Sequence, residues 1–209
     1  PEWTTSAREQ VSIDLIETLE SVPAGPVTLL FAEVEVTTRV TGYQRRLRSG
    51  EILDVTPLDL PETTLPTRAV VYTVTPQLLQ VAGVQEADWP GALHAAEHAA
   101  IGLLPLVATC DRWDIGGVST ALHPDTGLPT VFVYDGYAGG AGFAERGFRR
   151  AESWLRATLE AIRACECESG CPSCIQSPKC GNGNDPLSKP GALALVAEVV
   201  GQLAGVAGT

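Results

Sequence analysis

Hydrophobic and polar positions change period several times along the chain. Residues 5–21 place Val11, Leu15, Ile16 and Leu19 at helical spacing with acids and Arg8 between them, which predicts an amphipathic helix ended by "PAGP". From Val27 to Thr38 the pattern alternates, and "RAVVYTVT" at 68–75 is a second β-branched run, so both read as strands of a half-buried sheet. Pro57, Pro61 and Pro66 mark an irregular connection between them. Residues 91–107 are rich in Ala and Leu and predict a buried helix with Pro105 near its end. Two strand-like runs then flank Asp125-Thr126-Gly127, a hairpin signal. After Gly136, Gly139, Gly140 and Gly142, helical period continues from Phe143 to the cysteines, and Pro190 opens a last apolar helix to about residue 204.

This order predicts an α+β fold: a mixed sheet with packed helices and a small cysteine-rich lobe near the C-terminus. Its expected divisions are a helical and β-rich part (1–90), a core of helix, hairpin and long helix (91–164), the cysteine-rich lobe (165–185) and a C-terminal helix packing on the core (186–209).

Composition permits this. The chain has 209 residues, 44% hydrophobic and 19% charged, enough to bury a substantial core. It begins at Pro1 and contains no methionine, so it is expected to be a piece of a longer protein. No apolar run approaches the roughly 18 residues of a spanning helix, and "PEWTTSAREQ" lacks the order of a signal peptide, so a soluble, cytoplasmic protein is expected. The net charge of −11 argues against tight, non-specific nucleic-acid binding by the whole surface. Any DNA contact must be local, and "RVTGYQRRLR" offers one, with Arg39, Arg45, Arg46 and Arg48 around Tyr43; its other reading is a solvated hairpin rim.

The stretch "CECESGCPSCIQSPKC" holds five of the six cysteines: Cys165, Cys167, Cys171, Cys174 and Cys180. A two-residue gap such as "CPSC" lets a turn aim two sulfurs at one ion, which suits tetrahedral zinc. A disulfide framework is disfavoured without an export signal. A [4Fe–4S] cluster also uses four cysteines and stays open, and chemistry alone does not select four of the five thiols.

"CECESGCPSCIQSPKCGNGNDPLSKPGA", preceded by "ALHAAEHA", "CDRWDIGG" and "HPDTGLPTVFVYDGYAGGAGFAER", resembles the C-terminal zinc-binding domain of the MrfA and SftH group of superfamily two DNA helicases. The resemblance spans roughly residues 90–200, with separated motifs in the family's order, and is looser before residue 90. It implies a C-terminal module of an ATP-driven translocase that unwinds DNA in the 3′-to-5′ direction, with the motor lobes and single-stranded DNA as partners. It also implies zinc ligands at Cys165, Cys167, Cys171 and Cys174, leaving Cys180 as an extra thiol.

Three further features compete for a role. His94, Glu97 and His98 form H-x-x-E-H, the order of inverted zinc peptidases, which need a third ligand such as Glu145 or Glu152. The favoured alternative is a buried polar cluster with Asp111 and Asp114. "DGYAGGAG" follows a strand and opens a helix, so its N–H groups could face a phosphate, but it is no Walker loop, and a tight turn is the plainer reading. Cys110 reads as a buried small hydrophobe, and Trp113 as core packing rather than a base-stacking platform. The functions in competition are therefore a non-catalytic helicase module guiding single-stranded DNA, a zinc-stabilised protein-interaction domain, and a metallohydrolase on His94, Glu97 and His98.

Overall fold

The computed structural model describes residues 3–49 and 51–207; residue 50 and the outermost positions of the segments expected at 1–90 and 186–209 lie outside the described residues. Six strands, β1 (Trp3–Ala24), β2 (Val27–Leu47), β3 (Ile52–Pro57), β4 (Thr63–Val74), β5 (Ile115–Thr120) and β6 (Thr130–Asp135), form one sheet. Among the described residues five α-helices accompany it: α1 (Pro76–Val81), α2 (Trp89–Leu103), α3 (Phe143–Arg149), α4 (Ala151–Ala164) and α5 (Lys189–Ala207). The class is α+β, as expected. Its sheet runs β1-β2-β4-β6-β5 with β3 on the far half of β2, and all these pairings are antiparallel where a mixed sheet was expected.

The helix expected over 5–21 is instead the long strand β1. Its pairing with β2 skips at Ile16, between Leu15 and Glu17, and again at Leu19, between Thr18 and Glu20. Each skip is a bulge that adds one unpaired residue and breaks the two-residue alternation. Ile16 and Leu19, two of the four residues that suggested a helix, are the bulged and exposed ones, while Ile13 takes the core position. "PAGP" ends no helix; it is the turn between β1 and β2, with Gly25 at a positive φ. Pro66 lies within β4, short of the stretch Ala69–Thr73 that pairs with β6, so its missing N–H interrupts no bond on that side.

Both faces of the sheet are apolar. Val27, Leu29, Phe31, Val70, Tyr72, Val131 and Val133 face the helices, whose inward residues include Ala92, Leu93 and Ala96 of α2, Trp154, Leu155 and Ile162 of α4, and Leu195, Val196 and Val199 of α5. Trp154 Nε1 donates to Ala100 O (2.9 Å), tying α4 to α2. α5 is long and apolar enough by composition to cross a membrane, contrary to the expectation that no such run exists, but much of its apolar surface is buried in this core. The other sheet face holds Ile13, Ala32, Val34, Val36, Ala69, Val71 and Phe132, and among the described residues no helix side chain joins this cluster. The sheet curls over this cluster instead: His123, after β5, shares a hydrogen bond with Ile13 O of β1 (2.9 Å), and Leu15 N donates to Asp125 Oδ2 (2.9 Å).

α2 lies close against β5. A Cβ on Gly117 would come within 2.6 Å of Glu97 Oε1 and 2.7 Å of Ile101 Cδ1, so the second glycine of "DIGG" is what admits the helix.

Candidate metal centre

α4 ends at Ala164, and the chain leaves it extended. Residues two apart on an extended chain point the same way, so Cys165 and Cys167 present their sulfurs together. In the following turn the N–H groups of Cys174, Ile175 and Gln176 all donate to Cys171 O, which folds Cys174 back beside Cys171. The fully buried Ile175 and the buried Cys174 anchor this lobe in the main core.

The four sulfurs lie 3.6 Å (Cys165–Cys167), 3.5 Å (Cys165–Cys171), 3.5 Å (Cys167–Cys174) and 3.8 Å (Cys171–Cys174) apart. A tetrahedron of thiolates around zinc, with Zn–S of about 2.3 Å, has edges of about 3.8 Å. The lobe therefore fits one tetrahedral ion. A four-iron cluster would put each thiolate on a separate iron and spread the sulfurs well beyond these distances.

Lys189, the first residue of α5, is only 6% exposed. Its ammonium donates to Cys165 O (2.6 Å) and Cys167 O (2.5 Å) and lies 3.4 Å from Cys167 Sγ. A buried cation here offsets the net negative charge of four thiolates around a dication. The backbone N–H of Ser173 helps lower the Cys171 thiol to about 7, while burial pushes Cys174 up to about 12. Cys171 N also donates to Cys174 Sγ (3.3 Å). Nothing in the sequence singled out Lys189; its only sign is a lone lysine at the head of an apolar helix.

The H-x-x-E-H residues divide. His94 and His98 stack edge to face at 4.2 Å between ring centroids, but Glu97 turns away into the core and accepts from Ser119 Oγ (2.6 Å). Burial raises the Glu97 carboxyl to about 7, with the Ser119 bond opposing the shift. Glu145 and Glu152 pair with Arg149 and Arg156 on the exterior, so neither completes a peptidase-type site. The third group beside the histidines is Cys180, the thiol expected to be extra, whose Sγ is 3.4 Å from His94 Nε2. Asp111 and Asp114 do not join this cluster: they form the two halves of a capping box in the turn Arg112–Asp114, and Asp114 accepts from Tyr137 Oη (2.6 Å).

Asp135 occupies the glycine-rich turn. Its buried carboxylate accepts from the N–H groups of Ala141 (2.5 Å), Gly142 (2.8 Å), Phe143 (3.2 Å) and Ala144 (2.7 Å). The donors that could have met a phosphate are spent on a fixed anion, which would also repel one. Trp113 is 66% exposed rather than packed in the core, because its turn stands at the surface; Lys179 Nζ sits 5.5 Å from its ring centroid. Cys110 is half-buried, and burial with three nearby aspartates raises its thiol.

The basic segment lies at the far end of β2 beside β3. Arg39 pairs with Asp59 (3.1 Å) and Arg45 with Asp54, and Arg45 also lies over the Trp3 ring. Arg46 packs beside Gly183 of the loop after Cys180, and Arg48 is exposed.

Comparison with known proteins agrees with this geometry. The family model of the MrfA Zn-binding domain matches residues 96–175. The ATP-dependent helicase YprA of Bacillus subtilis is 30% identical over 83% of this chain and 23% of its own length. The protein MJ1572.1 of Methanocaldococcus jannaschii is 37% identical over 52% of this chain and 99% of its own. The crystal structure of the DUF1998 helicase MrfA bound to DNA superposes with a TM-score of 0.69 at 27% identity, over 97% of this chain and 26% of that one. The chain thus spans about a quarter of the helicases it matches. With the tetracysteine lobe, the H-x-x-E-H helix and the DIGG strand in one arrangement, the chain belongs to the MrfA Zn-binding domain family of MrfA-type helicases.

Proposed function

We propose that this chain is the non-catalytic zinc-binding module of a larger ATP-dependent DNA helicase, and that it steadies and guides single-stranded DNA beside the motor lobes of the same protein. The observation that carries the zinc assignment is the set of sulfur separations of 3.5–3.8 Å among Cys165, Cys167, Cys171 and Cys174, backed by the buried Lys189. All four positions around that ion come from protein, so it holds structure and leaves no site for an activated water. The helicase context is supported by YprA and by the DNA-bound MrfA structure. Unwinding in the 3′-to-5′ direction and a cytoplasmic setting belong to the same proposal.

The basic end of β2 is the proposed strand contact. Asp59 and Asp54 already engage Arg39 and Arg45, so Arg46 and Arg48 supply most of the charge available to phosphates. With a net charge of −11 the isolated module binds DNA weakly, and each arginine–phosphate contact adds about one to the logarithmic salt slope. The test is the full-length helicase with Arg45, Arg46 and Arg48 replaced by alanine. Unwinding should fall more than DNA-stimulated ATP hydrolysis. Equal losses would assign these arginines to the fold or the motor, and unchanged unwinding would favour a protein-docking module.

A further inference from the structure

We propose that His94, His98 and Cys180 form a second metal site, separate from the tetracysteine lobe, that takes a zinc-class divalent ion through two imidazoles and one thiolate.

The site is assembled from two distant parts of the chain. His94 and His98 are four residues apart on α2, one turn, so both rings leave the same face of the helix. Cys180 comes from the loop between the tetracysteine lobe and α5. One ligand atom from each of the three residues lies within 4.8 Å of the other two, and Cys180 Sγ is 3.4 Å from His94 Nε2. With Zn–N near 2.0 Å and Zn–S near 2.3 Å, a tetrahedral ion holds nitrogen and sulfur about 3.5 Å apart.

The supporting hydrogen bonds point the same way. His94 Nδ1 faces Pro186 O at 2.9 Å, and His98 Nδ1 faces Ile175 O at 2.9 Å. A carbonyl only accepts, so each Nδ1 must carry the proton and each Nε2 is left with a lone pair when the ring is neutral. That is the arrangement in which a histidine ligand is oriented through its other nitrogen. Asn184 N donates to Cys180 Sγ (3.2 Å), as backbone N–H groups do to metal-bound thiolates. Asn184 and Gly183 both adopt positive φ, the turn that brings this N–H back onto the sulfur. Three donors with two fixed tautomers and a supported sulfur exceed what a buried polar cluster needs for its own hydrogen bonding.

Three protein ligands leave one tetrahedral position for water or an outside donor. Glu97, the residue that would serve as base in a peptidase, is turned away to Ser119, so the site lacks the partner that hydrolysis requires. Its consequence is mechanical: the ion would pin the loop of Cys180–Asn184 to α2, and Arg46 rests against Gly183 of that loop.

The experiment is metal stoichiometry of the full chain, stripped with chelator and reloaded with Zn²⁺ or Co²⁺ alone. The wild type should hold two equivalents, and His94→Ala and Cys180→Ser should each hold one. The Co²⁺ difference spectrum between wild type and Cys180→Ser should show the thiolate charge-transfer band and tetrahedral d–d bands of a site with one sulfur. The equivalent lost in these variants should survive in Cys171→Ser, which separates this site from the tetracysteine lobe and keeps the two assignments independently testable. His94 is only half-buried, so a folded His94→Ala chain, checked by circular dichroism, serves if the cysteine variant does not fold. A wild type holding one equivalent that neither variant alters, or a second equivalent that persists in both, overturns the proposal.

Discussion

Two clusters of ligand-type side chains lie side by side in this protein, and they are built in opposite ways. The tetracysteine lobe draws all four thiols from ten consecutive residues, and a single turn sets their spacing. The His94–His98–Cys180 cluster joins α2 to a loop 86 residues later and exists only because α2 is pressed between β5, α4 and α5. Local chain geometry specifies the first; long-range packing specifies the second. A perturbation of the lobe should therefore stay local, whereas a perturbation of α2 packing should reach the histidines and spare the lobe.

The largest expected effect is that of Cys171→Ser. A small lobe without a core of its own takes much of its folding free energy from its ion, on the order of 10 kcal/mol in small zinc domains. This variant should release its zinc and lose amide protection across 165–176 in hydrogen exchange, while protection in β2, β4 and β6 and in the loop around Cys180 persists. Collapse of the sheet as well would show that the two regions are not separable.

Lys189→Met should come next. It removes the ammonium from two carbonyls and from the neighbourhood of four thiolates, a loss of about 3 kcal/mol by the behaviour of broken buried charge contacts. Zinc affinity should drop by roughly 10- to 100-fold, as for other residues supporting metal ligands. Competition with a chromophoric chelator measures it, and an unchanged affinity would reduce Lys189 to a helix-starting residue.

Gly117→Ala attacks the other side of the comparison. Its methyl would press on Glu97 and Ile101 and push α2 outward, at about 1–3 kcal/mol for overpacking. Thermal unfolding should report that loss. The histidine signals in an NMR spectrum should move while the tetracysteine zinc is retained. Zinc loss in this variant would break the distinction between the two clusters.

The smallest effect belongs to Glu97→Gln. Burial already raises this carboxyl to about 7, and Gln keeps an acceptor for Ser119 Oγ, so stability at neutral pH should change by less than about 1 kcal/mol. Purified chain should show no peptide hydrolysis either before or after the change. Metal-dependent proteolysis abolished by Glu97→Gln would restore the metallohydrolase reading.

Much of this architecture could be read before any coordinates. The alternation of β2 and β4, the β5–β6 hairpin, the buried α2 and the apolar α5 follow from period and turn residues, because each is a regular element whose neighbours do not disturb its pattern. β1 could not be read, since bulges at Ile16 and Leu19 shift its alternation and imitate a helical period. The arginine segment was visible as charge, but the carboxylates of Asp54 and Asp59 that engage two of its members were visible only in the fold. The hydrophobicity of Trp113 predicts an inward side chain, but an aromatic ring in a surface turn has nothing to pack under.

By itself the sequence determined the class of fold and the position of the cysteine-rich lobe, because both depend on neighbours a few residues away; the set of four thiols was implied by the family resemblance, and their sulfurs are brought together in the fold. Only the tertiary structure decided that Asp135 fills the glycine-rich turn, that Lys189 sits behind the cysteines, that Glu97 leaves the histidines, and that Cys180 joins them. Each of those depends on which distant segments share a boundary once the apolar faces are buried, and burial free energy acts on area without regard to separation along the chain.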